Sequence, residues 1–135
     1  MTRAFLDSNV VVYAFSDDDP RNGVAEELLG RGCEISAQVL NEFANVARRK
    51  LGFSWVDISD AVEAITTLSR NVHPLDLATH QDAIRLAERH KFGFYDALIV
   101  ASALRAGCTV LHSEDLQHGL VVEGQLRIEN PFRAE

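Results

Sequence analysis

The stretch FLDSNVVVYAF, residues 5–15, places a single carboxylate, Asp7, between two apolar runs. The preceding letters, RAFLD, have the pattern of a short buried strand, so the charge falls where that strand ends. One explanation is that Asp7 caps a helix beginning near Ser8. The other is a functional site, because open α/β sheets bind their ligands at the carboxyl ends of strands. The rest of the sequence bears on the choice.

Strands and helices alternate along the remaining chain. Three more strand-like segments are NVHPL (71–75), TVLH (109–112) and LRIENP (126–131). Helical spacing covers about 21–29, where Asp19 and Pro20 are suited to cap and begin the helix. It also covers 37–50 after the cap Ser36, 59–70, 83–90 after the capping-box pattern THQD (79–82), and the apolar stretch 95–107. This alternation predicts an α/β sandwich around a mostly parallel sheet. Because neither internal repeats nor low-complexity linkers are evident, we expect one domain over residues 1–135.

Composition limits the classes of partner and compartment. The chain is 47% hydrophobic and 24% charged, with a formal net charge of −7, which repels polyanions unless basic residues cluster or metal ions intervene. The two cysteines, Cys33 and Cys108, match no metal or redox spacing and suggest buried thiols in a reducing compartment. No signal-peptide pattern begins the sequence, and the run ALIVASAL is too short to cross a bilayer. We therefore expect a cytoplasmic protein without a membrane partner.

Three further acids occupy positions comparable to Asp7. Asp115 follows the strand TVLH, Glu42 borders the apolar face of its helix, and Asp96 lies in the first turn of the most apolar helix. Each has a structural alternative: Asp96 favours the helix dipole, Glu42 suits a solvated rim, and Asp115 suits a turn cap. Together they point to one cleft in which unpaired charges would be costly. Since Lys and Arg are absent from their immediate surroundings, a divalent cation is the expected neutraliser.

The segments that carry these acids resemble those of the PIN-domain ribonucleases, especially the VapC toxins of toxin–antitoxin pairs. The similar stretches are FLDSNVVVYAF, SAQVLNEF (36–43), FYDALIVASALRAG (94–107) and VLHSEDLQHG (110–119). The resemblance implies a PIN-like three-layer α/β/α sandwich with a central mostly parallel sheet. It also implies a Mg²⁺ (or Mn²⁺) site formed by Asp7, Glu42, Asp96 and Asp115, serving a divalent-metal-dependent endoribonuclease. A homodimer and a cognate VapB-like antitoxin are the expected protein partners, with RNA as substrate.

The polar residues beside the acids receive supporting roles. Ser8 and Ser113 stand where the family often has Thr, and Asn9, which matches the family pattern, is expected to orient Asp7. Glu114 leaves open which of two neighbouring acids contacts the metal. We expect Asp7 and Asp96 to bind directly, and Glu42 and Asp115 to bind through water or to form a second metal site.

The sequence leaves alternatives for the basic cluster and for the function of the protein. The basic cluster ARRK, with Arg48 and Arg49, is a candidate for holding the RNA backbone, and a solvated helix end is the alternative. The main competing function is a non-catalytic PIN-like binding or scaffold module. A haloacid-dehalogenase-type phosphatase is disfavoured because it needs an acid where Asn9 stands, and the first strand is not followed by the glycine-rich turn of a dinucleotide-binding fold.

Overall fold

A sheet of six short strands forms the centre of the molecule. The structure is a computed structural model that describes residues 3–133. The strands are β1 (Ala4–Leu6), β2 (Glu34–Ser36), β3 (Asn71–His73), β4 (Val110–His112), β5 (Val121–Val122) and β6 (Leu126–Glu129). Their order across the sheet is β3-β2-β1-β4-β6-β5. All neighbouring pairs are parallel except β5 with β6.

The described part of the chain also contains six helices, as expected for parallel strands that need crossover connections. They are α1 (Ser8–Ala14), α2 (Asn22–Gly30), α3 (Ala37–Lys50), α4 (Trp55–Leu68), α5 (Leu77–His90) and α6 (Phe94–Arg105). The predicted α/β sandwich with a mostly parallel central sheet is therefore confirmed. Within residues 3–133, none of the helices combines the length and the apolar character needed to cross a bilayer.

The core explains why α6 is so apolar. Every residue from Ala97 to Ala103 is buried, as are Phe5 and Leu6 of β1 and Ile35 of β2. All of them except the polar Ser102 belong to one buried apolar cluster. The sequence-based prediction of a central buried helix over 95–107 is borne out, with the helix ending at Arg105 and Gly107 adopting the positive φ of 74° that suits glycine.

Four of the six helices in residues 3–133 begin after a side-chain cap, and two of these caps differ from expectation. Ser36 caps α3 as predicted, accepting a hydrogen bond from the Val39 amide. The capping box predicted at Thr79 is wrong, because α5 begins two residues earlier and Asp76 caps it by accepting from the Thr79 amide. A capping box that the sequence reading missed lies at Ser54 and Asp57, which extends α4 beyond the predicted start.

Other differences concern short elements. Asp19 does not cap α2, contrary to the prediction. The residue at the cap position is Arg21, whose side chain makes no capping hydrogen bond, and Asp19 forms an ion pair with it. The strands β2 and β5 were not predicted. In β2 only Ile35 is apolar, and β5 contains only two residues, so neither shows an apolar run in the sequence.

The strand order positions the functional edge. From β1 the chain moves outward through β2 to β3, and then β4 returns to the opposite side of β1. The crevice between the carboxyl ends of β1 and β4 is therefore the point where the winding direction reverses, the usual ligand site of such sheets. Asp7 follows β1 directly, and its amide bonds to the His112 carbonyl at the end of β4. Residues 113–115 consequently lie beside Asp7.

Candidate active site

Asp7 is a buried carboxylate that accepts hydrogen bonds on both of its oxygens. Its side chain is 2% exposed. One oxygen, Oδ1, accepts from the Ser8 amide at 2.7 Å, and Oδ2 accepts from the Ser113 hydroxyl at 2.7 Å. Asp7 occupies the cap position of α1, so both explanations of this acid hold in part. Capping alone does not account for its burial, because a cap needs only one oxygen near the helix start.

Glu42 is joined to Asp7 through the side chain of Ser8. The Ser8 hydroxyl donates to Glu42 Oε1 at 2.6 Å, and Gln38, one turn earlier on α3, donates to Oε2 at 2.9 Å. Gln38 is buried, at 7% exposure. The sequence reading missed this residue, although its spacing of four from Glu42 on a helix was the available signal.

Asn9 links Asp7 to Asp115. Its amide nitrogen lies 3.3 Å from Asp7 Oδ2 and 3.2 Å from Asp115 Oδ2. Its carbonyl oxygen accepts from the Glu114 backbone amide, which fixes the orientation of the Asn9 side chain. The Ser113 hydroxyl also accepts from the Asp115 amide at 3.2 Å. Residues 7–9 therefore contact both α3, through Glu42, and the loop 113–115 that follows β4.

Asp96 completes the acidic group from the first turn of α6. It is partly buried, and α6 has Gly93 at its cap position with no side-chain cap. Burial is the main reason why the pKa of Asp96 is raised, and the charges of Glu42 and Asp115 raise it further. Among residues 3–133, no hydrogen-bond donor contacts the Asp96 carboxylate, so its oxygens are the least committed of the four acids.

The pKa of Asp7 is raised for the same reasons as that of Asp96. Burial raises it from 3.8 to about 6, against the lowering effect of the Ser113 and Ser8 hydrogen bonds. The charges of Glu42 and Asp96 add smaller upward contributions. Since each acid affects another, the structure brings Asp7, Glu42, Asp96 and Asp115 into one electrostatically coupled group. We refer to these four residues as the acidic cluster.

No basic side chain within residues 3–133 forms an ion pair with the acidic cluster. Glu114, by contrast, is paired: Arg21 donates to both of its oxygens, and the Tyr13 hydroxyl donates to Oε1. The Arg21 guanidinium also lies over the Tyr13 ring. Of the two neighbouring acids at 114 and 115, Asp115 thus belongs to the acidic cluster, and Glu114 is held by Arg21 and Tyr13.

The donor set of the acidic cluster suits a hard divalent cation. It consists of carboxylate oxygens, the ligands that Mg²⁺ and Mn²⁺ prefer. The pKa values of Asp7 and Asp96 are raised by burial first and by the neighbouring carboxylates second, and a bound cation would oppose both effects. As the side chains stand, no group of three His, Cys, Asp or Glu in the described part of the chain could hold an ion. The oxygens of Asp7 and Glu42 point at serine and glutamine donors instead, so a cation would require these side chains to turn.

Arg48 and Arg49 lie apart from the acidic cluster, at the far end of α3. Arg48 donates to the Phe53 carbonyl at 3.1 Å and lies 4.9 Å from the centre of the Trp55 ring. Its guanidinium therefore supports the turn between α3 and α4. Arg49 is exposed, and within residues 3–133 its side chain has no hydrogen-bond or ion-pair partner.

The protein is thus of the α/β class, with an acidic site between the carboxyl ends of β1 and β4, where the winding direction of the sheet reverses. Comparison with known families identifies it further. The chain belongs to the PIN domain family, whose sequence model matches residues 4–121. The resemblance noted from the sequence is thereby confirmed at the level of the family.

Solved structures with the same fold come from toxin–antitoxin systems. The Mycobacterium tuberculosis toxin VapC20, described as cleaving the sarcin–ricin loop, is 22% identical with a TM-score of 0.70, covering 83% of this chain and 89% of that one. A toxin–antitoxin complex from Klebsiella pneumoniae is 19% identical with a TM-score of 0.73, covering 97% and 99%. VapBC2 from Rickettsia felis, bound to a promoter DNA fragment, is 16% identical with a TM-score of 0.68, covering 96% and 100%. No curated protein sequence matches significantly.

Proposed function

We propose that this protein is a divalent-metal-dependent endoribonuclease and the toxin of a VapBC-type toxin–antitoxin system, with residues 1–135 acting as one PIN domain. The observation that carries the proposal is the acidic cluster: four coupled carboxylates at the sheet's switch point, without a basic partner among the described residues, in a member of the PIN family. A scaffold has no evident need for this arrangement, because like charges in a partly buried site oppose folding.

Each residue has a role in the proposed reaction. Asp7 and Asp96 would hold the cation directly, with Glu42 and Asp115 acting through water or at a second position. A Mg²⁺ or Mn²⁺ ion there supplies a water of lowered pKa and positive charge for the scissile phosphate. Ser113 keeps Asp7 ionised by donating to it, Ser8 fixes Glu42, and Asn9 sets the distance between Asp7 and Asp115. Asp96, which accepts no hydrogen bond within residues 3–133, would have both oxygens free for the cation.

Only local positive charge could attract RNA to this chain. The net charge of −7 repels RNA overall, so the bound cation and the exposed Arg49 would provide the attraction. Arg48 is the weaker candidate for positioning RNA, because its guanidinium already bonds to the Phe53 carbonyl.

We also propose a cognate VapB-like antitoxin and a homodimer. The solved structures of the same fold include toxin–antitoxin complexes. An antitoxin Arg or Lys entering the acidic cluster would satisfy the same carboxylates as the metal and so inhibit the enzyme. Co-expression with the product of the neighbouring gene, followed by nuclease assays and light scattering, tests this. A complex that retains full nuclease activity, or a toxin found only as a monomer, would refute the respective part.

The test of function compares Asp96→Asn with Asp60→Asn, an exposed acid of α4. Isothermal titration with Mn²⁺ and cleavage of purified cellular RNA, with sequencing of the new ends, are measured for each. We expect wild type and Asp60→Asn to bind Mn²⁺ and to cut RNA at defined sites, and Asp96→Asn to lose both. Intact RNA with the wild-type protein under all metal conditions would favour the scaffold alternative, and Asp96→Asn retaining cleavage would refute the assigned site.

A further inference from the structure

A polar groove lies beside the acidic cluster, between α3 and the start of α6. It has a volume of about 510 Å³ and is lined by Gln38, Asn41, Glu42, Asn45 and Tyr95. This is within the roughly 300–1,000 Å³ range of clefts that hold small ligands. Because Glu42 is part of both, the groove opens directly onto the proposed site of phosphate cleavage.

The groove presents amides in a row along one face of α3. Positions 38 and 42 are four residues apart, as are 41 and 45, so each pair lies one above the other on adjoining rows of the helix surface. Gln38 is committed to Glu42, and Asn41 contacts Gln38 only at 3.5 Å. Asn45 is exposed, and within residues 3–133 its side chain has no hydrogen-bond partner. A side-chain amide carries both donors and an acceptor, as does the edge of a nucleobase.

Tyr95 forms the aromatic wall of this groove. Its side chain is 65% exposed, although the next residue is the partly buried Asp96. The ring of Phe94 lies beside it, with the ring centres 5.9 Å apart and the ring planes inclined at 62°. Trp55 is equally exposed, but the Arg48 guanidinium lies over its ring. Among the described residues no charged group covers Tyr95 in this way, so a face of its ring is open for stacking.

The same helix face continues to Arg49. That residue is seven positions beyond Glu42, nearly two turns, which places it on the same side of α3 and about 10 Å farther along the axis. The face therefore carries an acid of the cleavage site with neutral amides on either side of it, and it ends in an unpaired cation.

We propose that this groove is a nucleotide subsite that holds an unpaired RNA base next to the cleaved linkage. The base stacks on Tyr95, its edge bonds to the amides of Asn41 and Asn45, and a flanking phosphate meets Arg49. An unstacked base is required, so the substrate is single-stranded at this position. The inference rests on the proposed ribonuclease function and adds the residues that select the sequence at the cut.

The test measures binding of fluorescein-labelled RNA decamers of A, U or C, with Ca²⁺ replacing Mg²⁺ and the RNA checked for integrity. Stacking on one aromatic ring contributes enough that Tyr95→Ala should weaken binding roughly ten-fold or more, while Tyr95→Phe keeps the ring and binds nearly as wild type. Asn41→Ala and Asn45→Ala should alter the preference among the three decamers. The matched control, Gln81→Ala, removes an exposed amide on α5 and should change neither property.

A decamer with one abasic position, moved along the preferred sequence, supplies the decisive comparison. If Tyr95 stacks on a base, one abasic position weakens wild-type binding by about the factor lost in Tyr95→Ala, and has no further effect on that variant. Additive losses, unchanged affinity of Tyr95→Ala, or no binding of any decamer to wild type would overturn the proposal. So would a groove variant that loses only antitoxin binding.

Failure of the subsite can be told apart from failure of the proposed function. Tyr95→Ala should bind Mn²⁺ as wild type does in isothermal titration, because the ring is not a metal ligand. Wild-type protein that cleaves RNA, with KM and base preference unaltered in Tyr95→Ala, would refute the subsite alone. Wild-type protein that neither binds Mn²⁺ nor cleaves RNA would refute the function itself.

Discussion

Replacing Asp7 with Asn should stabilise the metal-free protein, even though Asp7 caps a helix. In the native state burial raises the pKa of Asp7 from 3.8 to about 6. Because this raised pKa lies above the unfolded value, wild-type stability falls as the pH rises through this interval, and the loss is complete above it. At about 1.4 kcal/mol per pKa unit, the ionised carboxylate costs the fold roughly 3 kcal/mol at neutral pH.

Asparagine keeps the shape of the side chain and an oxygen for the Ser8 amide, but it carries no charge. The amide NH₂ would replace Oδ2, which accepts from Ser113 and Asn9. Allowing for these weaker contacts, we expect a net gain of about 1–2 kcal/mol near pH 8, or roughly 3–10 °C in Tm for a chain of this size. Near pH 4.5 the native Asp7 is already mostly protonated, so most of the advantage should disappear. The difference between the variant and wild type is therefore expected to grow by roughly 2 kcal/mol over this range.

Thermal and urea unfolding in EDTA, repeated across this pH range, measure the effect. Asp76→Asn is the matched control, since Asp76 also caps a helix but its pKa is lowered by the Thr79 hydrogen bonds. That variant should be less stable than wild type at neutral pH and approach it as the pH falls. Added Mn²⁺ at about 100 times its Kd should stabilise wild type by about 2.7 kcal/mol and Asp7→Asn much less. An Asp7→Asn variant that is destabilised equally at both ends of the range would show that the carboxylate is simply a cap.

Three further outcomes are expected. Ser113→Ala removes the hydroxyl that lowers the pKa of Asp7, so isothermal titration should show Mn²⁺ binding weakened about ten-fold near pH 6 and less near pH 8. Arg49→Ala should reduce the salt slope of RNA binding by about one without changing Tm, whereas Arg48→Ala should lower Tm by a few degrees, because the lost hydrogen bond and ring contact contribute about 1 kcal/mol. Asp96→Asn should melt no lower than wild type without metal and lose most of the stabilisation by Mn²⁺; a much lower metal-free Tm with cleavage retained would contradict the shared site.

The sequence predicted those parts of the fold in which one strong pattern acts alone. The apolar helix around Ala97–Ala103, the cap at Ser36 and the strand ending at Asp7 are examples. It failed where several weak signals compete: THQD has the letters of a capping box, yet Asp76 caps the helix, because its carboxylate reaches the Thr79 amide and hydroxyl together.

The sequence predicted that the four acids would lie close together, but it did not predict all of the side chains that donate hydrogen bonds to them. Asp7 and Asp115 could be placed together because both follow strands of a parallel sheet, whose carboxyl ends share one edge. The separation of Glu114 from Asp115 could not be foreseen, since it depends on Arg21 and Tyr13, which are distant in sequence. Hydrogen bonds between segments far apart in the chain leave no periodic trace.

The run Asp7–Ser8–Asn9 connects to several distant parts of the chain within three residues. Ser8 contacts α3 through Glu42, and Asn9 contacts the loop after β4 through Asp115 and Glu114. Adding or removing one residue here would shift all of these contacts at once, whereas the exposed turn at 17–18 carries none of them. Over evolutionary time, insertions and deletions should therefore accumulate in that turn and be purged from the junction between β1 and α1, which makes this junction the most reliable anchor for aligning distant homologues.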